Sequence, residues 1–169
     1  PTNSNIIYIA TGDDDAGDSY SVGVWKSIDA GSTWSSTGFM DNPNSMNDIY
    51  ITPNNTEIIL VATSNGVYKS TDGGVNWQIK LTGNIIDLKM KPNDPKVWYA
   101  VSNDVFYRSE DGGDNFSTID LPSLTDSGRL TMDVTISNNN YVYVVSSKTS
   151  NAFNGVYKSI DSGISFIKT

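Results

Sequence analysis

The chain has 169 residues, a formal net charge of −8, and neither cysteine nor histidine. An acidic chain lacks the basic surface that nucleic-acid binding requires, so we expect no nucleic-acid partner. The two missing residue types exclude a disulfide, a Ser-His-Asp hydrolase and a zinc site with Cys or His ligands. No apolar run approaches the roughly 18 residues of a membrane-spanning helix.

Short strand patterns follow one another along the whole chain, whereas the strong helix formers Ala, Leu and Glu supply only 14 residues. Apolar or alternating stretches predict strands, in chain order, at 6–11, 23–26, 48–52, 58–63, 66–69, 87–91, 97–101, 105–108, 133–137, 141–145 and 155–158. Four further short strands are expected around Trp34, Trp77, Phe116 and Phe166. These patterns predict an all-β fold of about 15 strands.

One eight-residue segment occurs four times and reads Ser-x-Asp-x-Gly-x-(Thr/Asn/Ser)-aromatic. We call its copies the repeat turns, and they span 27–34, 70–77, 109–116 and 159–166. The aspartate suits acceptance of backbone N–H groups across its own turn, and the glycine permits a positive φ. We expect structural roles for Asp29, Gly31, Trp34, Asp72, Gly74, Trp77, Asp111, Gly113, Phe116, Asp161, Gly163 and Phe166.

The spacing of the repeat turns predicts a β-propeller. Their aspartates are separated by 43, 39 and 50 residues, and a period of about 40–50 residues is the length of a four-stranded blade. Residues 1–169 then form a partial β-propeller with blades at 1–40, 41–82, 83–122 and 123–169. The first blade lacks its first strand. A closed four-bladed ring is one alternative, and part of a larger propeller is the one we expect.

Each of the four copies of this segment resembles the Asp-box, also called the BNR repeat, and the copies are spread over the whole chain. Propellers with this repeat occur in sialidases, xyloglucan-cleaving glycosidases, sortilin-type receptors and photosystem-assembly-like proteins. They usually have more than four blades, which implies that this chain is part of a larger propeller. A sialidase needs three arginines around the substrate carboxylate, and this chain has two. The resemblance therefore implies the fold more directly than an activity.

The sequence from Ile9 to Ser27 is similar to a segment found in large secreted proteins of gliding-type bacteria. Those proteins are cargo of the type IX secretion system. The resemblance implies an extracellular or bacterial cell-surface location, and it implies the export machinery as one partner.

Antiparallel strand order places the longer connections at one end of a propeller, opposite the repeat turns. These connections are 12–22, 35–47, 117–130 and 147–154, and we expect a protein or glycan partner on this long-loop face. A catalytic site consists of one set of residues, whereas the aspartate turn occurs four times with the same pattern. We therefore expect a non-catalytic binding module. The alternative is part of an extracellular glycoside hydrolase, which needs two carboxyl groups across a cleft.

The acidic loop at residues 13–18 carries four aspartates. Asp13, Asp15 and Asp18 are candidate Ca²⁺ ligands, because Ca²⁺ takes oxygen ligands. A solvated acidic loop is the expectation we favour, and a catalytic carboxylate is a third alternative. No other cofactor is expected.

Three more sets of residues recur at fixed places. Asp48, Asp87 and Asp133 begin the innermost strands, where they either ring a central channel or bind backbone N–H groups of a neighbouring blade, which we favour. One strand position holds an aromatic residue, expected in the core, at Trp25, Tyr68, Tyr107 and Tyr157. The next position holds a cation, expected to be solvated or packed along its stem, at Lys26, Lys69, Arg108 and Lys158.

Overall fold

The computed structural model describes residues 3–12, 20–39 and 41–169, and all regular structure in those residues is β. The first sheet contains β1 (Ile7–Ala10), β2 (Val24–Ser27) and β3 (Ser35–Ser36). The second contains β4 (Met46–Thr52), β5 (Asn55–Thr63), β6 (Gly66–Ser70) and β7 (Gln78–Thr82). The third contains β8 (Asp87–Met90), β9 (Trp98–Val101), β10 (Phe106–Ser109) and β11 (Ser117–Ile119). The fourth contains β12 (Ser127–Val134), β13 (Val142–Lys148), β14 (Phe153–Ser159) and β15 (Ile167–Lys168).

Each sheet is an antiparallel meander in which strands adjacent in sequence are hydrogen-bonded neighbours. Within the described residues the first sheet has three strands and the others have four, so the predicted all-β class is confirmed and these residues hold the 15 strands expected. Tight turns suffice between such strands, because antiparallel neighbours need no crossover. The blade limits proposed from the sequence remain a prediction.

The chain divides into two compact units, residues 1–83 and 84–169. Each unit pairs two sheets around its own apolar core. The core of the first unit contains Tyr8, Val24, Phe39, Met46, Ile59, Val61 and Tyr68. The core of the second unit contains Val97, Tyr99, Val101, Phe106, Leu121, Leu130, Met132, Val142, Val144, Tyr157 and Phe166.

The recurring aromatic position is buried in only one sheet of each unit. Tyr68 and Tyr157 belong to the two cores, whereas Trp25 and Tyr107 are half-buried. Alternate side chains of a strand point to opposite faces, and Lys26, the neighbour of Trp25, contacts the second sheet. Trp25 therefore points away from that sheet, and the predicted core role does not hold for it.

The strand predicted at 133–137 is misplaced, because β12 runs over Ser127–Val134. The alternation of apolar and polar residues continues to Ile136, yet Ile136 is 84% exposed in a turn. Periodicity alone cannot locate the end of a strand when the following turn carries one more apolar residue.

Two of the predicted long loops are also shorter than expected. Strands β13 and β14 are joined by only the residues from Thr149 to Ala152, and β12 begins at Ser127. The sequence predicts loop in these stretches because their strand residues are largely polar. None of the described residues belongs to a helix long and apolar enough to cross a membrane.

Candidate functional site

Each repeat turn is held by the same hydrogen bonds around its aspartate. In the second turn, the Ser70 hydroxyl donates to Asp72 Oδ1 and accepts from the Gly74 amide, both at 2.9 Å. The amide and the side chain of Asn76 donate to the two carboxylate oxygens of Asp72 at 2.9 and 2.7 Å. The same four bonds recur around Asp29, Asp111 and Asp161.

Two successive residues with positive φ close each turn. The glycines Gly31, Gly74, Gly113 and Gly163 have φ values of 89°, 90°, 83° and 75°. The preceding residues, Ala30, Gly73, Gly112 and Ser162, also have positive φ. A glycine avoids the Cβ clash of this conformation. The indole N–H groups of Trp34 and Trp77 donate to the carbonyls of Gly31 and Gly74 at 3.1 and 3.0 Å.

The pKa of all four repeat-turn aspartates lies at about 2, below the ordinary 3.8. The largest cause of the low pKa is the hydrogen bond from the Thr33 side chain for Asp29, and the hydrogen bond from the backbone N–H of Asn76 for Asp72. At Asp161 desolvation is the largest influence and raises the pKa, but the local hydrogen bonds outweigh it. These groups are ionised at neutral pH, whereas a general acid needs a raised pKa.

Replacing Asn76 with alanine removes its side-chain hydrogen bond to Asp72 and keeps its backbone amide, so the pKa of Asp72 should rise part of the way from about 2 towards 3.8, whereas that of Asp29 stays at about 2. The folded pKa of Asp72 is depressed, so its contribution to stability is present above about pH 4 and is lost as the pH falls through about 2. Titration of the carboxyl carbons by NMR measures both groups in one sample. An unchanged pKa of Asp72 in the variant would contradict the contribution assigned to the Asn76 side chain.

A tyrosine and a cation of the first sheet bind the repeat turn of the second. The hydroxyl of Tyr8 and the ammonium of Lys26 both donate to the Gly73 carbonyl, at 3.0 and 3.2 Å. Lys26 Nζ lies 5.2 Å from the centre of the Tyr8 ring. Gly73 is the residue after the turn aspartate, so the first sheet binds a backbone position that every repeat turn contains.

The same arrangement recurs between the third and fourth sheets. The Tyr99 hydroxyl and Arg108 Nε both donate to the Ser162 carbonyl, at 3.2 and 2.7 Å. Burial raises the pKa of Tyr99 to about 12, so its hydroxyl stays protonated and remains a donor. The prediction that Lys26 and Arg108 are only solvated or packed along their stems is therefore wrong, because their charged ends bind backbone carbonyls.

The innermost-strand aspartates are not all equivalent. Asp87 Oδ2 accepts from the Met132 amide at 3.0 Å and from the Thr131 hydroxyl at 3.2 Å, so the predicted bond to a neighbouring sheet is confirmed for Asp87. Asp48 accepts from the amide of the next residue at 2.9 Å. The strand registers align Asp87 with Thr131 rather than with Asp133, so the predicted equivalence of Asp133 is wrong.

A pocket of about 260 Å³ lies beside the second repeat turn. Phe39, Tyr68 and Trp77 line it, together with the polar residues Asp41 and Asn76. The ring centre of Phe39 is 5.0 Å from that of Tyr68 and 5.4 Å from that of Trp77, both edge to face. Phe39 and Tyr68 are each only 8% exposed. The aromatic side of the pocket is therefore fixed by core packing, and we call it the Phe39 pocket.

A carboxylate stands at the edge of the Phe39 pocket. The Tyr68 hydroxyl donates to an oxygen of Asp41, whose residue is exposed. In the second unit, the equivalent Tyr157 hydroxyl is buried and has no partner among the described residues. The half-buried Trp77 ring and the exposed Asp41 carboxylate, both in the lining of the pocket, together suit a cationic group.

The sequence did not single out Phe39 or Asp41, because they lie outside the repeat. The only signal for them was their position in the connection 35–47, which was predicted to carry function. That connection supplies both residues, but Asn76 and Trp77 come from a repeat turn. The pocket therefore combines the two regions that the sequence had placed at opposite ends.

The candidate Ca²⁺ ligands Asp13, Asp15 and Asp18 lie outside the described residues. Within the ranges 3–12, 20–39 and 41–169, no three acidic side chains are grouped so that they could hold a metal ion. The calcium site of the acidic loop stays a prediction.

No protein-family model and no curated protein matches the chain. Several solved structures, however, are similar to it. An ancestral GH74 enzyme has a TM-score of 0.73 and 23% identity, over 98% of this chain and 24% of that one. The GH74 enzyme of Niastella koreensis has a TM-score of 0.69 and 24% identity, over 99% of this chain and 28% of that one. YCF48 from Cyanidioschyzon merolae has a TM-score of 0.58 and 15% identity, over 99% of this chain and 57% of that one.

The chain spans about a quarter of the length of the two GH74 structures and somewhat more than half of YCF48. At these identities the likeness shows a shared fold and carries no residue roles. The four sheets are the blades of a β-propeller, as the sequence predicted.

Proposed function

We propose that the chain is a non-catalytic interaction module of a secreted or cell-surface bacterial protein, and that its Phe39 pocket takes a basic side chain of a partner protein. The observation that carries the proposal is the aromatic pocket with the Asp41 carboxylate at its edge. A cation over aromatic faces and beside a carboxylate is attracted by both. The net charge of −8 also favours a basic partner segment.

The repeat turns are scaffold in this proposal. The resemblance to Asp-box propellers supports that role, and the low pKa of each aspartate makes it a poor general acid at neutral pH. The resemblance of the stretch 9–27 supports export through the type IX secretion system, with the export machinery as a second partner.

The test uses the two tryptophans of the repeat turns as reporters. Trp77 lines the Phe39 pocket, and Trp34 occupies the same place in the first repeat turn without lining that pocket. Short arginine- or lysine-containing peptides are titrated while the indole N–H signals are followed by NMR. We expect the Trp77 signal to shift and the Trp34 signal to stay. Asp41→Asn should weaken the binding about tenfold, as the loss of one charge-assisted contact does.

Two results would overturn the proposal. One is a Trp77 signal that no basic peptide moves, and the other is equal binding by Asp41→Asn. A shift caused by neutral oligosaccharides and unaffected by Asp41→Asn would make the partner a glycan instead. Peptides with glutamate in place of the basic residue serve as the matched control.

The second candidate is part of a glycoside hydrolase, because the chain shares its fold with two GH74 enzymes. In the second unit, a wide groove of about 550 Å³ is lined by polar residues that include Lys91, Asp94, Asn139 and Asn140. Asp94 is the one carboxylate among the lining residues, so the second carboxyl group that such an enzyme needs would have to come from a residue outside this groove. Release of reducing ends from xyloglucan by this chain, abolished in Asp94→Asn, would support this candidate. No release by the chain would reject it for these residues.

A further inference from the structure

A second groove lies inside the second unit, between the end of β11 and the fourth repeat turn. Its volume is about 420 Å³. The connection after β11 supplies Ile119, Asp120 and Pro122 to its lining, and the repeat turn supplies Ile164 and Phe166. We call it the Asp120 groove.

The Asp120 groove occupies the same junction as the Phe39 pocket of the first unit. Ser36 of the first sheet and Thr118 of the third sheet both lie opposite the recurring aromatic position. Gly38 and Asp120 each come two residues later, beside the repeat turn of the next sheet. The two units therefore contain the same junction with a different residue at its centre.

The glycine closes this junction, and the aspartate opens it. The Gly38 amide donates to the Gly74 carbonyl at 2.8 Å, and a Cβ at Gly38 would lie 1.8 Å from the Val75 carbonyl oxygen. Asp120 carries a Cβ, so it cannot approach its repeat turn in the same way. Within the described second unit, its amide makes no bond to the equivalent Gly163 carbonyl. The residues that line two separate pockets in the first unit therefore have counterparts that line one groove in the second.

The lining of the Asp120 groove combines a carboxylate with apolar side chains. Ile164 is 57% exposed, Pro122 is exposed and Ile119 is half-buried. Asp120 is exposed as well, and no donor in the described ranges is bonded to its carboxylate. The groove thus offers an apolar surface beside a carboxylate that is open to a ligand.

The other polar groups near the groove are already engaged. The Ser165 hydroxyl, which also lines the groove, donates to Asp161 Oδ2 at 2.6 Å. Lys168 of β15 has its Nζ 5.4 Å from the centre of the Tyr157 ring and forms no ion pair with Asp120. The Asp120 carboxylate is therefore the polar anchor of the groove.

We propose that the Asp120 groove is a second binding site for a basic side chain of a partner protein. The aliphatic stem of an arginine or lysine packs along Ile164 and Pro122, and its charged end binds the Asp120 carboxylate. An apolar side chain would leave the carboxylate without a partner, and an anion would be repelled by it. The inference rests on the proposed function only for the class of partner, because its site belongs to the other unit.

One NMR titration of the chain reads both sites. The probe is an acetylated and amidated glycine-arginine-glycine peptide, and the control ligand has citrulline, which is uncharged, in place of arginine. We expect the arginine peptide to shift the methyl signals of Ile119, and the citrulline peptide to bind about tenfold more weakly.

Two pairs of variants test the two parts of the groove. Asp120→Asn should weaken binding of the arginine peptide about tenfold. Asp133→Asn makes the same charge change at an exposed residue outside the groove and should bind like the unchanged chain. Ile164→Ser should weaken binding about fourfold, the effect of one CH₂ group that loses its apolar contact. Ile160→Ser changes a residue that is 63% exposed in the same repeat turn but outside the groove, and it should have no effect.

The two proposals can fail separately in this titration. Movement of the Trp77 signal without the Ile119 signals would overturn the Asp120 groove and leave the Phe39 pocket. Movement of the Ile119 signals alone would leave the Asp120 groove and overturn the Phe39 pocket. Equal binding by Asp120→Asn and Asp133→Asn, or equal binding of the two peptides at Ile119, would also overturn the inference.

Discussion

Replacing Phe106 with alanine should lower the free energy of unfolding of the second unit by about 3–5 kcal/mol, the usual cost of deleting a buried aromatic side chain. Phe106 is completely buried. Its ring centre lies 4.8 Å from that of Phe166 and 5.8 Å from that of Tyr99. It therefore joins the third sheet to the repeat turn of the fourth, and its removal leaves a cavity between the rings of Phe166 and Tyr99.

Urea denaturation gives the size of the Phe106→Ala effect, and hydrogen exchange read by mass spectrometry gives its location. Exchange should rise across residues 84–169, because the second unit has its own core. Phe153→Ala removes the same side chain from a site that is 69% exposed, so it should change stability by less than about 0.5 kcal/mol. Equal effects of the two variants would mean that the core is not packed as described.

Replacing Gly38 with alanine should destabilise the first unit by about 3 kcal/mol, the upper end of the usual cost of overpacking. A Cβ at this position would lie 1.8 Å from the Val75 carbonyl oxygen. The Gly38 amide also donates to the Gly74 carbonyl at 2.8 Å. Because the clash is with backbone, no side-chain rotation relieves it. The chain must move away from the second repeat turn, which also displaces the adjacent Phe39 and opens its pocket.

Gly83→Ala is the matched control for this prediction. Gly83 has a φ of 122°, and a Cβ there would meet nothing within 4 Å. Its substitution therefore introduces backbone strain of about 1–2 kcal/mol without a steric clash. Thermal unfolding measures both variants, and the NMR signal of the Trp77 indole should move in Gly38→Ala alone. A smaller loss in Gly38→Ala than in Gly83→Ala would contradict the close contact with Val75.

The repeat turns were predictable because their chemistry is local. Ser70, Asp72, Gly74 and Asn76 satisfy one another within seven residues, so the pattern specifies the turn wherever it occurs. The strands between the turns follow from alternation over a few residues. Strand ends were less predictable, as β12 shows, because an apolar residue such as Ile136 also fits the turn that follows a strand.

The sequence by itself determined the all-β class and the four repeats, because both depend on hydrogen bonds and periodicity over short distances along the chain. Only the tertiary structure decided which faces are buried and which polar groups meet. Tyr8 reaches Gly73 and Asp41 reaches Tyr68 across 65 and 27 residues. Such contacts depend on how one sheet packs against the next, and identical repeats give no sign of which copy is covered and which stays open.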